Sequence, residues 1–178
     1  DKDFCDDPYC WLMTKQYNLY YNDHRKFYRF LSYDDLYRLG DRLYRLYEDF
    51  ERMEDMVVAW SDKTPVQALS AYFNGINGIP DYDKGSACKR LCMFLRWIVR
   101  TGSPVDMGIW RKVSPDSLII PLDTHVHRMA LELGLTSRKQ ADMKTAVEIT
   151  NAMREIFPND PARGDFALFG YGVEHKNK

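Results

Sequence analysis

The sequence predicts an all-α fold, on three observations. Apolar residues recur at helical spacing through most of the chain. Recognisable starts and stops fall at the edges of those stretches. No two neighbouring segments alternate in the manner of a convincing strand pair. With 178 residues, 45% of them apolar and 14% aromatic, the chain can bury one good core or two small lobes. That composition belongs to a folded protein rather than a disordered one. No apolar run approaches the roughly 18 residues that span a bilayer, and there is no secretory h-region, so no membrane partner is expected. The chain starts at Asp1 rather than Met, as a fragment or a trimmed protein would.

The first clear helix start is Ser32 with Asp35, a capping box with the shorter acid. From there Leu36, Leu39, Leu43, Leu46, Tyr47 and Phe50 keep helical spacing. Met56–Trp60 extends or follows that helix. Thr64-Pro65 opens another, with Pro at its first position, through Val66, Leu69, Tyr72 and Phe73. Residues 74–85, rich in Asn, Gly, Pro and Asp, form a loop. Ser86 to Arg100 reads as a helix apolar on most sides, hence central. Residues 101–104 end it, and 105–122 are irregular, closing on a β-like apolar run, Ile119-Ile120, before Pro121. A helix runs from Thr124 to about Leu133 with Gly134 as its left-handed stop. Another runs from about Lys139 to Phe157. Residues 158–161 break the chain, and a last helix covers Ala162 to about Tyr171. There is no internal repeat or low-complexity stretch.

Charge divides the chain. Residues 1–83 carry 10 Lys/Arg and 16 Asp/Glu, a balance of −6, and read as an acidic helical part. Residues 84–154 carry 12 and 6, a balance of +6. The basic part therefore begins at 84, and 84–178 is expected to carry the functional motifs. A basic stretch on a chain of net charge −1 suits an anionic partner such as nucleic acid, although solvated helices are often this basic. The four cysteines, Cys5, Cys10, Cys88 and Cys92, lack the C-x-x-C spacing of common zinc sites. Free thiols in a reducing cytosol are the expectation, with no metal, iron–sulfur cluster or other cofactor. His125 and His127 lie two apart on a helix and point in different directions, so a metal site built from them is not expected. Trp97 and Trp110 are expected in the core.

Asp123 raises the sharper question. It stands between Leu122 and the helix that begins at Thr124, where an Asp accepts backbone N–H bonds from the first turn. A carboxylate held that way is fixed in position and stays ionised. Such fixed charge is effective against a cationic transition state.

The stretch P-L-D-T-H-V-H-R-M-A-L-E-L-G-L resembles a signature of the helix–hairpin–helix DNA glycosylases, the endonuclease III superfamily. The match joins a cap, a helix face and a helix stop in one register. The resemblance implies a helical bundle of that type, with Asp123 beside a flipped nucleotide and stabilising positive charge on the deoxyribose. A glycosylase that also cuts the strand needs an amine nucleophile, made reactive by desolvation or a neighbouring cation. Lys89 is the candidate: it lies in the first turn of the apolar helix, whose positive end favours the free amine, with Arg90 adjacent and Arg96 and Arg100 on about the same face. Lys84, Lys112 and Lys144 sit in loops or on a polar face. The layout K-R-L-C-M-F-L-R-W-I-V-R followed by I-I-P-L-D also resembles the archaeal 8-oxoguanine glycosylases. By that resemblance Asp165 and Phe169, four apart on the last helix, address the base, with His125 as a further base contact. Arg128, Arg138 and Lys139 are the candidates for DNA phosphates. Each has an ordinary reading beside it: Asp123 and Asp165 as helix-start acids, and the cations as solvated surface groups.

The chain most resembles a bacterial family of unknown function that carries the blocks F-Y-R-F, S-A-C-K-R-L-x-M-F-L-R-W-M-V-R, L-I-I-P-L-D-T-H and D-F-A-L-F-G-x-G-V. These start here at Phe27, Ser86, Leu118 and Asp165. Members of that family have further helices ahead of the point where this chain begins, so residues 1–83 are expected to be an incomplete part. The superfamily's L-P-G-x-G hairpin is absent before Lys89, which makes the hairpin motif atypical and implies a different grip on the DNA backbone. Together the resemblances imply a monomeric glycosylase with AP lyase activity in the bacterial cytoplasm. It would act on double-stranded DNA with a damaged base, an oxidised purine such as 8-oxoguanine by preference. The rival expectation is a non-catalytic DNA-binding or protein-interaction module on the same fold.

Overall fold

The computed structural model describes residues 7–174. It is mostly helical, with eight α-helices and one small two-stranded sheet among those residues. The chain forms two compact units that interleave in sequence. One comprises residues 1–56 and 73–79, the other 57–72 and 80–178. The second unit thus takes one early helix in addition to the whole basic stretch.

In the first unit, α1 (Pro8–Met13) and a 3-10 turn (Gln16–Tyr20) pack on α2 (Tyr33–Asp49). Trp11, Leu12 and Tyr17 are buried there, with Leu36, Tyr37, Leu43, Tyr44 and Tyr47 of α2 packed around them. This core explains the abundance of Tyr: the rings fill volume while each hydroxyl can reach solvent or a partner. The expected capping box forms, with Ser32 Oγ accepting from Asp35 N–H at 3.3 Å and Asp35 Oδ2 accepting from Ser32 N–H at 2.8 Å. Just before it, β1 (Lys26–Tyr28) pairs antiparallel with β2 (Leu31–Ser32). The sequence does not predict this hairpin. Five paired residues with a register irregularity are too short to carry an alternation signal, and every β1 residue is exposed. α3 (Met53–Ala59) carries the boundary between the units.

The second unit contains α4 (Pro65–Tyr72), α5 (Lys89–Val99), α6 (Thr124–Glu132), α7 (Met143–Ile156) and α8 (Gly164–Glu174). α4 packs on α5, and α6 on α8. α5 buries Leu91, Cys92, Leu95, Ile98 and Val99, as its apolar sequence requires. It begins at Lys89, not Ser86. Cys88 takes a left-handed backbone (φ 48°), and Ser86 bridges to Asp142 instead of opening the helix. α7 likewise begins at Met143 rather than Lys139. Asp142 caps it at Thr145 N–H (2.9 Å), and Arg138 is drawn to that cap. The last helix starts at Gly164, after a 3-10 turn over Pro161–Arg163. Gly134 (φ 69°) ends α6 as expected, with Leu135 N–H reaching back to Ala130 C=O. Residues 118–122 are buried and extended, but they pair with no strand among the described residues; Ile120 N–H bonds Thr150 Oγ1 at 3.0 Å. Cys88 and Cys92 are buried free thiols and Cys10 is exposed; burial pushes both buried thiols up in pKa. Cys5 lies outside the described residues. Trp110 is buried, but Trp97 is 41% exposed, against expectation.

A buried ionic chain organises this unit. Arg96 and Arg100, one turn apart on α5, both face Asp106, whose side chain is wholly inaccessible. Arg100 donates to Asp106 Oδ2 at 2.5 Å and to Asp160 Oδ1 and Oδ2 at 2.9 Å. Arg96 pairs with Asp165 on α8, and its Nε faces Asp106 Oδ1 at 3.5 Å. The Phe166 ring covers both guanidinium groups, at 4.6 and 5.6 Å. Asp106 reaches this position because the irregular loop folds back on the end of α5. There Met107 and Gly108 N–H bond Trp97 C=O, and Trp110 N–H bonds Ile98 C=O. Gly108 has φ 55°, and a Cβ there would sit 2.6 Å from Arg100 O, so no larger residue fits.

Two stability predictions arise here. Asp106→Ala leaves two buried guanidinium groups short of a partner and should cost about 3–5 kcal/mol. Gly108→Ala combines strain with a backbone clash and should cost at least about 1 kcal/mol. Denaturant unfolding of each variant checks both. Wild-type midpoints in both would show that the ionic chain does not seat the loop.

Candidate functional site

Asp123 sits at the start of α6 in extended conformation (φ −126°, ψ −176°) and uses its two oxygens differently. Oδ1 accepts from His125 N–H at 2.9 Å and Val126 N–H at 2.8 Å. Oδ2 accepts from Lys89 Nζ at 2.9 Å. The residue is therefore both the helix cap and one half of an ion pair. Burial pushes its carboxyl up, but the bonds from Val126 N–H, the Lys89 ammonium and His125 N–H outweigh that and hold it below the usual Asp value.

Lys89 is the first residue of α5, and its side chain is 48% exposed. The expected drying is incomplete, and the ion partner of its ammonium is the anion Asp123. Together the pair lines a cleft of about 260 Å³ whose other walls are Met93, Arg96, Pro121, Asp165, Phe166 and Phe169. Three separate stretches meet here: α5, the run into α6, and α8. Asp165 is buried at the back, paired with Arg96. Phe169 lies one turn further along α8 and is 54% exposed. Burial is the largest influence on Asp165. Arg96 opposes it and the Asp123 charge adds to it, so the net direction is upward. Two carboxylates that share one cleft are thus driven apart in pKa.

Four of the sequence candidates, Lys89, Asp123, Asp165 and Phe169, converge on the cleft. The others do not line it. His125 contributes its backbone N–H to Asp123, not a ring to the cleft. Arg128 is exposed on α6, 3.8 Å from Glu132. Arg138 is engaged with Asp142 (2.7 Å) and Thr145 (2.9 Å) at the start of α7, so its guanidinium is a capping group first. Lys139 is exposed. His127 is buried, with Nε2 2.8 Å from Arg138 O. Among the described residues no group of three or more His, Cys, Asp and Glu side chains is arranged to hold a metal ion. No helix there is long and apolar enough to cross a membrane.

Sequence reasoning missed Phe166, which covers the arginines, and Asp106 and Asp160, which hold Arg100. Phe166 had a signal, standing directly after Asp165 in D-F-A-L-F. Asp106 had none, since it lies in an irregular loop without periodicity.

Mostly helical, with a carboxylate–lysine pair at the mouth of a small cleft, the chain has the general form of a helical domain with a compact polar site. The family described as "Protein of unknown function (DUF2400)" matches residues 2–174, and the chain belongs to it. No curated protein and no solved structure matches the chain.

The two carboxylates should respond to pH in opposite senses. The folded pKa of Asp165 is raised above the ordinary value of 3.8. The folded state therefore binds the proton more tightly than the unfolded one, and ionisation costs stability as pH rises through the folded pKa. Asp165→Asn does not ionise, so it should gain on wild type from about pH 4 upward. Asp123 is lowered below 3.8. Its contribution is present above the unfolded pKa and lost as pH falls through the folded one, so Asp123→Asn should fall behind wild type as pH rises toward about 4, below the Asp165 window, and keep a constant deficit above it. Unfolding free energies of the three proteins across pH check this. Parallel curves would contradict the assignment.

Proposed function

We propose that the chain is a DNA glycosylase with associated AP lyase activity on a helix–hairpin–helix type fold with an atypical hairpin, acting on a damaged base in double-stranded DNA. An oxidised purine such as 8-oxoguanine is the favoured substrate, on the sequence resemblance alone. The observation that carries the reading is the 2.9 Å approach of Lys89 Nζ to Asp123 Oδ2 at the cleft that also holds Asp165 and Phe169. These four residues come from three separate stretches of sequence, and each stretch was singled out by its own motif.

In this reading the damaged nucleotide is turned out of the stack toward the cleft. Its volume, about 260 Å³, is just under the roughly 300–1,000 Å³ of drug-sized ligand sites, which suits a group of nucleobase size. Phe169 offers a ring face and Asp165 a carboxyl. Lys89 must give up a proton before it attacks C1′. The Nζ–C1′ bond then forms as the glycosidic C–N bond breaks, and the base leaves with the electron pair and takes up a proton. The C1′–O4′ bond of the resulting aminal then breaks, O4′ takes up a proton as the sugar ring opens, and the protonated Schiff base forms; loss of a C2′ proton then expels the 3′-phosphate by β-elimination and cuts the strand. Asp123 Oδ2 is within reach of the ammonium proton. Its lowered pKa makes it a weak base, so its larger contribution is electrostatic, opposite the cationic sugar. The half-exposed lysine is not dried by the protein alone, and in this reading the bound nucleotide completes that drying.

One observation favours the rival, a non-catalytic binding module: a half-exposed Lys–Asp pair is also what an ordinary surface salt bridge looks like. Trapping separates the two. Incubation with lesion DNA and borohydride should give a covalent adduct, because the imine is reducible, and Lys89→Gln should abolish it. Asp123→Asn should slow base release by roughly 10²–10³-fold, about 3–4 kcal/mol of barrier, with DNA binding retained. An adduct that persists in Lys89→Gln assigns the nucleophile elsewhere. No base release and no adduct with any lesion favours the binding module. On either reading, affinity for duplex DNA should fall steeply with salt as phosphates release counterions. Salt-independent binding would remove the support given by the +6 balance of residues 84–154.

A further inference from the structure

The F-Y-R-F block plays no part in the cleft, and its structure is unusual. Every residue from His24 to Phe30 is exposed, including Phe27 (45%), Tyr28 (55%) and Phe30 (45%). This is not a frayed loop. Lys26 pairs with Ser32 and Tyr28 with Leu31, so Arg29 and Phe30 form a two-residue turn between β1 and β2. Arg29 holds a left-handed backbone (φ 50°), a conformation that disfavours any side chain and persists only when its surroundings enforce it. Those surroundings lie in the same unit. Asn77 Nδ2 donates to Phe30 C=O at 3.2 Å, Ser32 and Asp35 form the α2 capping box, and Tyr33 N–H bonds Arg25 C=O at 3.0 Å. Phe27 rests on Tyr33 at 5.3 Å, and Tyr33 stacks on Tyr20 at 5.1 Å. The hairpin is anchored below and carries exposed rings beside Arg29 at its tip.

The charge at the tip decides what it suits. Arg25 is neutralised by Asp23, through contacts of 2.6–3.1 Å. Among the described residues, neither Lys26 nor Arg29 pairs with a carboxylate, and the Arg29 guanidinium lies 5.3 Å over the Tyr28 ring. Two such cations stand out in a stretch whose balance is −6. Exposed rings interleaved with unneutralised cations suit a strand of alternating bases and phosphates. A protein surface would suit the rings and Arg29, but not Lys26, a residue type depleted in protein–protein interfaces. A duplex also fits less well, because its base faces are already stacked, whereas rings at a turn need a free π-face to stack upon.

We propose that this hairpin is a contact for single-stranded nucleic acid, in which Tyr28 and Phe30 stack on unpaired bases while Lys26 and Arg29 hold the neighbouring phosphates. The proposal stands on the hairpin alone and does not rest on the reading of the cleft.

The test is fluorescence anisotropy of a labelled oligothymidylate with the full chain. Wild type should bind at low salt and weaken as salt rises. Tyr28→Ala and Phe30→Ala should each weaken binding roughly tenfold. Arg29→Gly, which suits the left-handed turn, should weaken it by several-fold with the melting temperature held or raised. Absence of binding at low salt overturns the proposal. So do variants that bind like wild type, or tip variants that weaken duplex binding as much as single-strand binding. If wild type self-associates in sedimentation and the tip variants do not, the hairpin is a protein contact and the proposal also falls. Oligothymidylate contains no lesion, so failure here leaves the cleft reading standing, and failed base release leaves this one standing.

Discussion

Two arginines one helical turn apart share one wholly buried carboxylate, and the geometry of the cleft depends on that arrangement. Arg96 and Arg100 cannot leave α5, and Asp106 cannot leave its loop without exposing all three charges to a low-dielectric interior. The pairing therefore pins the irregular segment after α5 onto the helix. The same two arginines reach Asp165 and Asp160, which bracket the start of α8. One charge cluster thereby sets α8 against α5, and the cleft is the space left between them and the run into α6. Attraction of this kind adds little net stability, because desolvation offsets most of it. Its value lies in fixing one arrangement: a single carboxylate between two forked donors accepts few alternatives.

The cleft inherits its electrostatics from this construction. Counting Lys89 and Asp123 with the buried chain, three cations face four carboxylates. Burial weighs most on Asp165, the buried member that also touches the cleft, and the Asp123 charge adds to it against the opposing Arg96. Asp123 escapes a net rise because its oxygens are satisfied by two backbone N–H groups and an ammonium. Environments that separate two carboxylates in this way are a recurring feature of acid–base sites, and also of structural ion clusters. Beside the ion cluster stands Phe169, an exposed ring one turn from Asp165.

The first unit has a different logic. Its core is rich in aromatic side chains, with Trp11 and Tyr17 packed among Leu12, Leu36, Leu43 and further tyrosines, and its ionic contacts are local, such as Asp34 with Arg38 at 2.8 Å and the Ser32–Asp35 box. Local contacts of this type fix the ends of elements. Here they also fix the hairpin, so rings that would ordinarily be buried are held outward at a turn.

The sequence by itself determined the helices wherever burial imposes a period. α2 from Ser32, α5 through its apolar face, α6 from its Asp123 cap to its Gly134 stop, and the start of α4 at Pro65 are all written in neighbouring residues. Asp123 was legible as the cap of α6 and as a candidate for the same reason, since a cap, a helix face and a stop lie in one continuous stretch. Tertiary structure alone decided the rest. α5 begins at Lys89 because Ser86 is taken by Asp142, 56 residues away; the start of α7 at Met143 is the exception, a local cap of Asp142 on Thr145 N–H. The hairpin is too short to alternate. Asp106, Asp160 and Phe166 join the site through contacts 6 to 70 residues apart, and no local pattern encodes such contacts. Above all, sequence could name Lys89 and Asp123 separately, 34 residues apart. Only packing puts an ammonium against the one carboxylate oxygen that the helix cap leaves free.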